Sequence, residues 1–256
     1  MPVVYVSTEE AIRRPGLRMV VVGNVPSPWG EAAKGILHVK RLDWVAVRLD
    51  YESEAQKEWT GQRSGPVAVY EKERPRSGWA EILLLAERLA PQPSLIPRDA
   101  ADRALMFGMA HEILGEQGLA WSRRLQLVHL GLQKNGGFRE SVAQYLAKKY
   151  GYSPEAGAGA PARVASLLRM LASRLSAQAA KGSPYYLGDT LSALDIYSAT
   201  AMAMFKPLAQ EQCAMHPASR SAFETSDSEI AAALDPLLFR HRDMVYAKHL
   251  ELPLSL

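Results

Sequence analysis

Between residues 91 and 97 the chain reads Pro91-Gln92-Pro93-Ser94-Leu95-Ile96-Pro97. Three prolines so close together do not run through a helix or a sheet, because each ring fixes φ and removes a backbone donor. The segment predicts an extended linker and divides the 256 residues into two units of different character. The expected boundaries are 1–90, a linker over 91–98, and 99–256.

Ahead of the linker the pattern alternates between periods of two and of 3.6. Val3 to Val6 reads as a short edge strand, and Ser7-Thr8-Glu9-Glu10 has the spacing of a capping box on a brief helix. Leu17 to Val22 is a β-branched run ended by Gly23-Asn24 and Pro26. Ser27-Pro28 then suits a helix start, serine as N-cap and proline at the first turn, leading into Glu31 to Arg41. Trp44 to Leu49 reads as a second strand, Tyr51 to Gly61 as a loosely formed helix, and Val67 to Tyr70 as a strand entered through Gly65-Pro66. A fourth strand has room only around Glu71 to Arg74. Trp79 to Leu89 is strongly helical.

Beyond the linker every long segment repeats at three and four residues: Arg98 to Gln117, Leu119 to Leu132, Phe138 to Lys149 and Pro161 to Ala180. Gly136-Gly137 and Gly157-Ala158-Gly159 are expected to be flexible breaks. Asp195 to Phe205 is apolar all round, which belongs in a core. Residues 210–227 read as irregular and polar, and 230–250 as helix.

Two stretches together resemble the glutathione S-transferase superfamily. VPSPWGEAAKGILHVKRLDWVAVRL, followed by Gly65-Pro66-Val67, is similar to that family's strand, active-site turn and first helix, then its cis-proline strand. Gly188-Asp189-Thr190-Leu191-Ser192-Ala193-Leu194-Asp195-Ile196 looks like its buried capping box, in which Ser192 and Asp195 satisfy each other's orphan amides. The resemblance implies a thioredoxin-like α/β N-terminal domain, an all-α C-terminal bundle, glutathione as co-substrate and a homodimer.

It further implies a site. Ser27, in Ser27-Pro28-Trp29, would stabilise a thiolate through its hydroxyl and the helix N-terminus, or else serve only as an N-cap. A serine there favours transferase chemistry over thiol–disulfide exchange. Gly65 and Pro66 would offer backbone to the cysteinyl part of glutathione. Arg76 and Ser77 stand where the family holds the glutamyl end, with Arg76 reversing the usual acid or amide character. A small hydrophobic electrophile would sit by Phe107, His111 and Trp121. A non-catalytic ligand- or protein-binding member of the fold is the alternative.

Composition narrows the rest. The formal charge is +3, with 30 basic and 27 acidic residues and no basic stripe, which argues against nucleic acid. The lone Cys213 and six scattered histidines suggest no disulfide and no metal site. The first fifteen residues lack a leader pattern and no apolar run reaches a membrane span, so a cytoplasmic protein without membrane attachment is expected.

Overall fold

The computed structural model describes residues 3–225 and 227–256. Met1 and Pro2, which belong to the leader and first-unit expectations, and Ser226, in the stretch read as irregular, lie outside the described residues. The first unit holds β1 (Val4–Tyr5), α1 (Thr8–Arg13), β2 (Leu17–Val21), α2 (Pro28–Val39), β3 (Trp44–Arg48), α3 (Glu54–Thr60), β4 (Val67–Tyr70) and α4 (Trp79–Leu89). The strands form one mixed sheet in the order β1-β3-β2-β4, with β1 and β2 parallel to β3 and β4 antiparallel to β2.

Alternation along β2 sorts its side chains onto two faces. Leu17, Met19 and Val21 join the main core with Ala46, Ala68 and residues of α2 and α4. Val20 faces the other way, with Val47, Val67 and Ala11 of α1, backed by Trp59 of α3. Both faces are therefore covered, which suits a sheet whose central pairing is parallel. The Ser7 hydroxyl caps α1 by accepting from the Glu10 amide at 3.1 Å, and Ser53 caps α3 in the same way.

The turn after β4 differs from the sequence expectation. Glu71 to Arg74 is not strand but turn, with Glu71 at φ +48°. The fourth strand shrinks to one antiparallel bridge, Ala68 with Arg76, whose amides and carbonyls exchange two hydrogen bonds at 2.8 and 2.9 Å.

The proline segment is packed rather than free. Leu95 and Ile96 are buried, and Glu87 of α4 accepts from the Leu95 amide at 2.8 Å and the Ser94 hydroxyl at 3.1 Å. Lys40, at the end of α2, pairs with Glu87 and donates to the Ala90 carbonyl at 2.9 Å. The Leu95 carbonyl accepts from the Ala193 amide at 2.9 Å and so ties the segment to the second unit.

That unit is helical: α5 (Ala100–Leu114), α6 (Leu119–Leu132), α7 (Glu140–Lys149), α8 (Pro154–Ala179), α9 (Ala193–Ala201), a 3₁₀ turn (Met202–Met204), α10 (Pro217–Glu224), α11 (Ser228–Ala233) and α12 (Pro236–His249). Every residue of α9 is buried, as its all-round apolar character predicts. The Asp195 carboxylate accepts from the Ser192 amide and hydroxyl, both at 2.8 Å, from the Tyr186 amide at 2.9 Å, and sits 3.0 Å from His241 Nε2.

Two expectations are corrected here. Gly157-Ala158-Gly159 is not a break but lies inside α8, whose N-cap Ser153 accepts from the Ala156 amide at 3.1 Å. Gly157 serves close packing, since a Cβ there would stand 2.5 Å from Nδ1 of His129. Residues 210–227 are not wholly irregular. His216 caps α10 through Nδ1, with Pro217 at the first turn, and this helix buries Ala222 and Phe223.

Candidate functional site

β2 ends in the Gly23-Asn24 turn, with Asn24 at φ +64°, and the chain enters α2 through Ser27. Ser27 takes the extended N-cap conformation, yet its hydroxyl makes no capping hydrogen bond. It is 3% exposed, and its amide donates to the Val25 carbonyl at 2.8 Å. Pro28 follows at the first turn, where its missing N–H costs nothing. A buried hydroxyl free of the capping role thus stands at the positive end of a twelve-residue helix.

Gly65 reaches the same place from the other side. The Gly65–Pro66 peptide is cis, and a Cβ on Gly65 would lie 3.2 Å from the Val20 carbonyl oxygen and 3.5 Å from the Val22 amide nitrogen. Glycine suits this close approach, since a Cβ would press on the Val20 carbonyl. Ser27, Trp29 and Gly65 line one cavity of about 540 Å³, within the range of small-molecule sites. Pro66 is buried beside it, opening β4.

The far wall comes from the helical unit. Arg124 of α6, Tyr145 and Lys149 of α7, Tyr150, and Phe223 of α10 complete it, with Tyr51 facing them. Tyr51 and Tyr145 meet edge to face at 5.2 Å across the two units. Trp29 ties them from below, its indole N–H donating to the Leu114 carbonyl at 2.7 Å and so satisfying an orphan acceptor at the end of α5.

Burial pushes the phenols of Tyr51, Tyr145 and Tyr150 above the usual tyrosine range. They are neutral donors at physiological pH, not bases. Lys149 is held below the ordinary lysine range by desolvation and then by the Arg124 charge.

Other residues singled out from the sequence lie elsewhere. Arg76 does not line the cavity; its guanidinium pairs with Glu73 at 2.6 Å, and Glu73 also binds Arg88 at 2.7 Å. Ser77 is exposed one position before Gly78, the N-cap of α4, whose amide donates to Glu81 at 3.3 Å. Phe107 packs against Trp79 at 6.2 Å and carries Arg103 over its ring. His111 is exposed in the last turn of α5. Trp121 meets Tyr150 edge to face at 4.6 Å, behind the wall rather than in it.

For Phe107 and His111 the reason is the roll of α5, which buries Met106, Met109, Ala110, Ile113 and Leu114. The second wall falls instead to α6, α7 and α10. Tyr51, Arg124, Tyr145 and Lys149 were not singled out from the sequence. For Arg124 alone there was a local signal, the adjacent Arg123-Arg124 pair on a helix rich in apolar residues. Among the described residues no group of three or more metal-ligating side chains comes together, and no helix is long and apolar enough to cross a membrane.

No family model and no curated protein matches the sequence. Solved structures do. A glutathione S-transferase of Methylobacterium radiotolerans in complex with glutathione sulfonate is similar at a TM-score of 0.61 and 16% identity, over 91% of each chain. A glutathione transferase family member from Pseudomonas fluorescens with two glutathione bound matches at 0.59 and 13%, over 91% of this chain and 89% of its own. A rice glutathione S-transferase in complex with glutathione matches at 0.57 and 21%, over 94% of each. With a mixed sheet of thioredoxin type leading into a helical bundle, this chain adopts the glutathione S-transferase fold.

Proposed function

We propose that the chain is a glutathione-dependent transferase in which Ser27 stabilises the thiolate of glutathione for attack on a small electrophile. The observation that carries this reading is the buried Ser27 hydroxyl, uncommitted to capping, sharing a cavity with Gly65 of the cis Gly65–Pro66 peptide. A thiol of pKa about 8.5 is mostly protonated at neutral pH. One hydroxyl hydrogen bond together with the N-terminal dipole of α2 favours the ionised form. The Gly65 backbone is positioned to pair with the cysteinyl residue in strand fashion.

The division into a glutathione-binding unit over 1–90, a linker over 91–98 and a helical unit over 99–256 is part of the same reading, as are a homodimer and a cytoplasmic setting. The glutamyl end fits less well. Arg76 is engaged by Glu73 and the start of α4 by Glu81. That observation favours a second reading, a member of the fold that binds ligand without conjugating it.

Ser27→Ala tests the first reading. A hydrogen bond to a charged sulfur contributes about 1.5–3 kcal/mol, so the conjugation rate should fall about ten- to a hundredfold. Because no capping bond is lost, stability should change by no more than about 0.5 kcal/mol. Equal losses of rate and folding, or an unchanged rate, defeat the assignment. Failure of the parent protein to be retained on glutathione-agarose favours the second reading.

A further inference from the structure

Two adjacent arginines on α6 have opposite surroundings. Arg123 is fully buried and donates to the carbonyls of Met204 at 3.0 Å and Phe223 at 2.7 Å, and to Gln126 and Thr225. Its role is structural. Arg124 is 8% exposed and makes no hydrogen bond or ion pair with any described residue. Its Nε is buried without an acceptor. The guanidinium instead lies 5.9, 5.6 and 5.8 Å from the ring centroids of Trp29, Phe138 and Phe223, all of which share its cavity.

A guanidinium stays protonated inside proteins, and burying it without a counter-charge is unfavourable. Aromatic faces offset only part of that cost. Two more cations, Arg139 and Lys149, stand exposed at the same cavity, and no Asp or Glu is among its lining residues. Desolvation holds the Lys149 pKa below its ordinary range, and the Arg124 charge adds to the shift. The empty hydrogen-bonding edge of Arg124 has the planar fork that a carboxylate matches.

We propose that the second ligand of this cavity is an aromatic carboxylate, its anionic group paired with Arg124 and its ring held among Trp29, Tyr145 and Tyr150. The assignment rests on the reading of the cavity as the place where glutathione and a second substrate meet, and it replaces a purely hydrophobic electrophile with an anionic one. Glutathione carries carboxylates of its own, so the test separates the two sources.

Isothermal titration of the full chain with 2-naphthoate and with 2-naphthamide compares equal shapes with and without the charge. The acid should bind about tenfold or more tighter than the amide, the preference should vanish in Arg124→Met, and glutathione affinity, titrated separately, should stay within about twofold. Should Arg124→Met fail to fold, the exposed double variant Arg139→Gln, Lys149→Met carries the test, with the preference falling about threefold. Equal binding of acid and amide, no binding of either, a preference that survives in Arg124→Met, or a preference undiminished in the double variant overturns the proposal. So does loss of glutathione binding in Arg124→Met with naphthoate affinity intact, which would assign the arginine to the peptide. A parent protein that prefers naphthoate but ignores glutathione upholds the anion site and defeats the transferase reading instead.

Discussion

Replacing Asp195 by alanine should come close to unfolding the protein without touching the cavity. The carboxylate is fully buried and receives the Ser192 and Tyr186 amides, the Ser192 hydroxyl and Nε2 of His241. With it gone the hydroxyl can turn elsewhere, but two amides and the ring nitrogen are stranded. Each stranded buried donor costs about 1–3 kcal/mol, so the loss sums to about 3–9 kcal/mol. A domain's whole stability is about 5–15 kcal/mol. Nδ1 of His241 is already buried without a partner among the described residues, so the ring has no other bond there to fall back on.

Urea unfolding followed by tryptophan fluorescence and far-UV circular dichroism measures the loss. A double-mutant cycle isolates the histidine: in a His241→Phe background the cost of Asp195→Ala should shrink by about 1–3 kcal/mol, because one stranded donor is no longer present. A loss under about 1 kcal/mol with an unchanged denaturant slope would refute the reasoning.

Three further outcomes follow from the packing. Burial pushes the Cys213 thiol up to about 11, so a disulfide reagent at about pH 8 should label it at least a hundredfold more slowly in the native than in the unfolded chain; comparable rates would show that the thiol is accessible. Gly131→Ala places a Cβ 2.2 Å from the Phe138 carbonyl oxygen and should cost about 1–3 kcal/mol. Gly108→Ala meets nothing within 4 Å and should stabilise α5 by up to about 1 kcal/mol; thermal melts that fail to rank the pair this way would contradict the packing. The Glu73 carboxyl is held below its ordinary range chiefly by its hydrogen bond to Arg88, with Arg76 adding to it. A depressed carboxylate supplies stability above its unfolded pKa and loses it as pH falls, so Glu73→Gln should be less stable at neutral pH and flatter between about pH 5 and 3. Superimposable acid limbs would exclude that coupling.

Local physics made much of the architecture legible in advance. The proline run, the β-branched strands, Ser27-Pro28 as a helix entrance, Gly65-Pro66 before a strand and the Ser192 to Asp195 box are patterns in which a few neighbouring residues settle the backbone. The same is true of α9, because a helix apolar on every side has only the interior to occupy. Where local and long-range forces competed, the sequence was ambiguous. Gly157 and Gly159 read as a break, yet both lie inside α8, where Gly157 admits the close approach of His129 and Tyr152.

The second wall of the cavity was beyond any local pattern. Whether Phe107 and His111 or Arg124 and Tyr145 face Ser27 depends on how far α5 and α6 are rolled about their axes. That roll is set by the sum of many contacts with α9, α8 and α7, none of them written in the neighbours of those residues. Two consecutive arginines look alike in the sequence; only the tertiary structure gave Arg123 four acceptors and left Arg124 with none among the described residues, because residues one apart on a helix point about 100° away from each other.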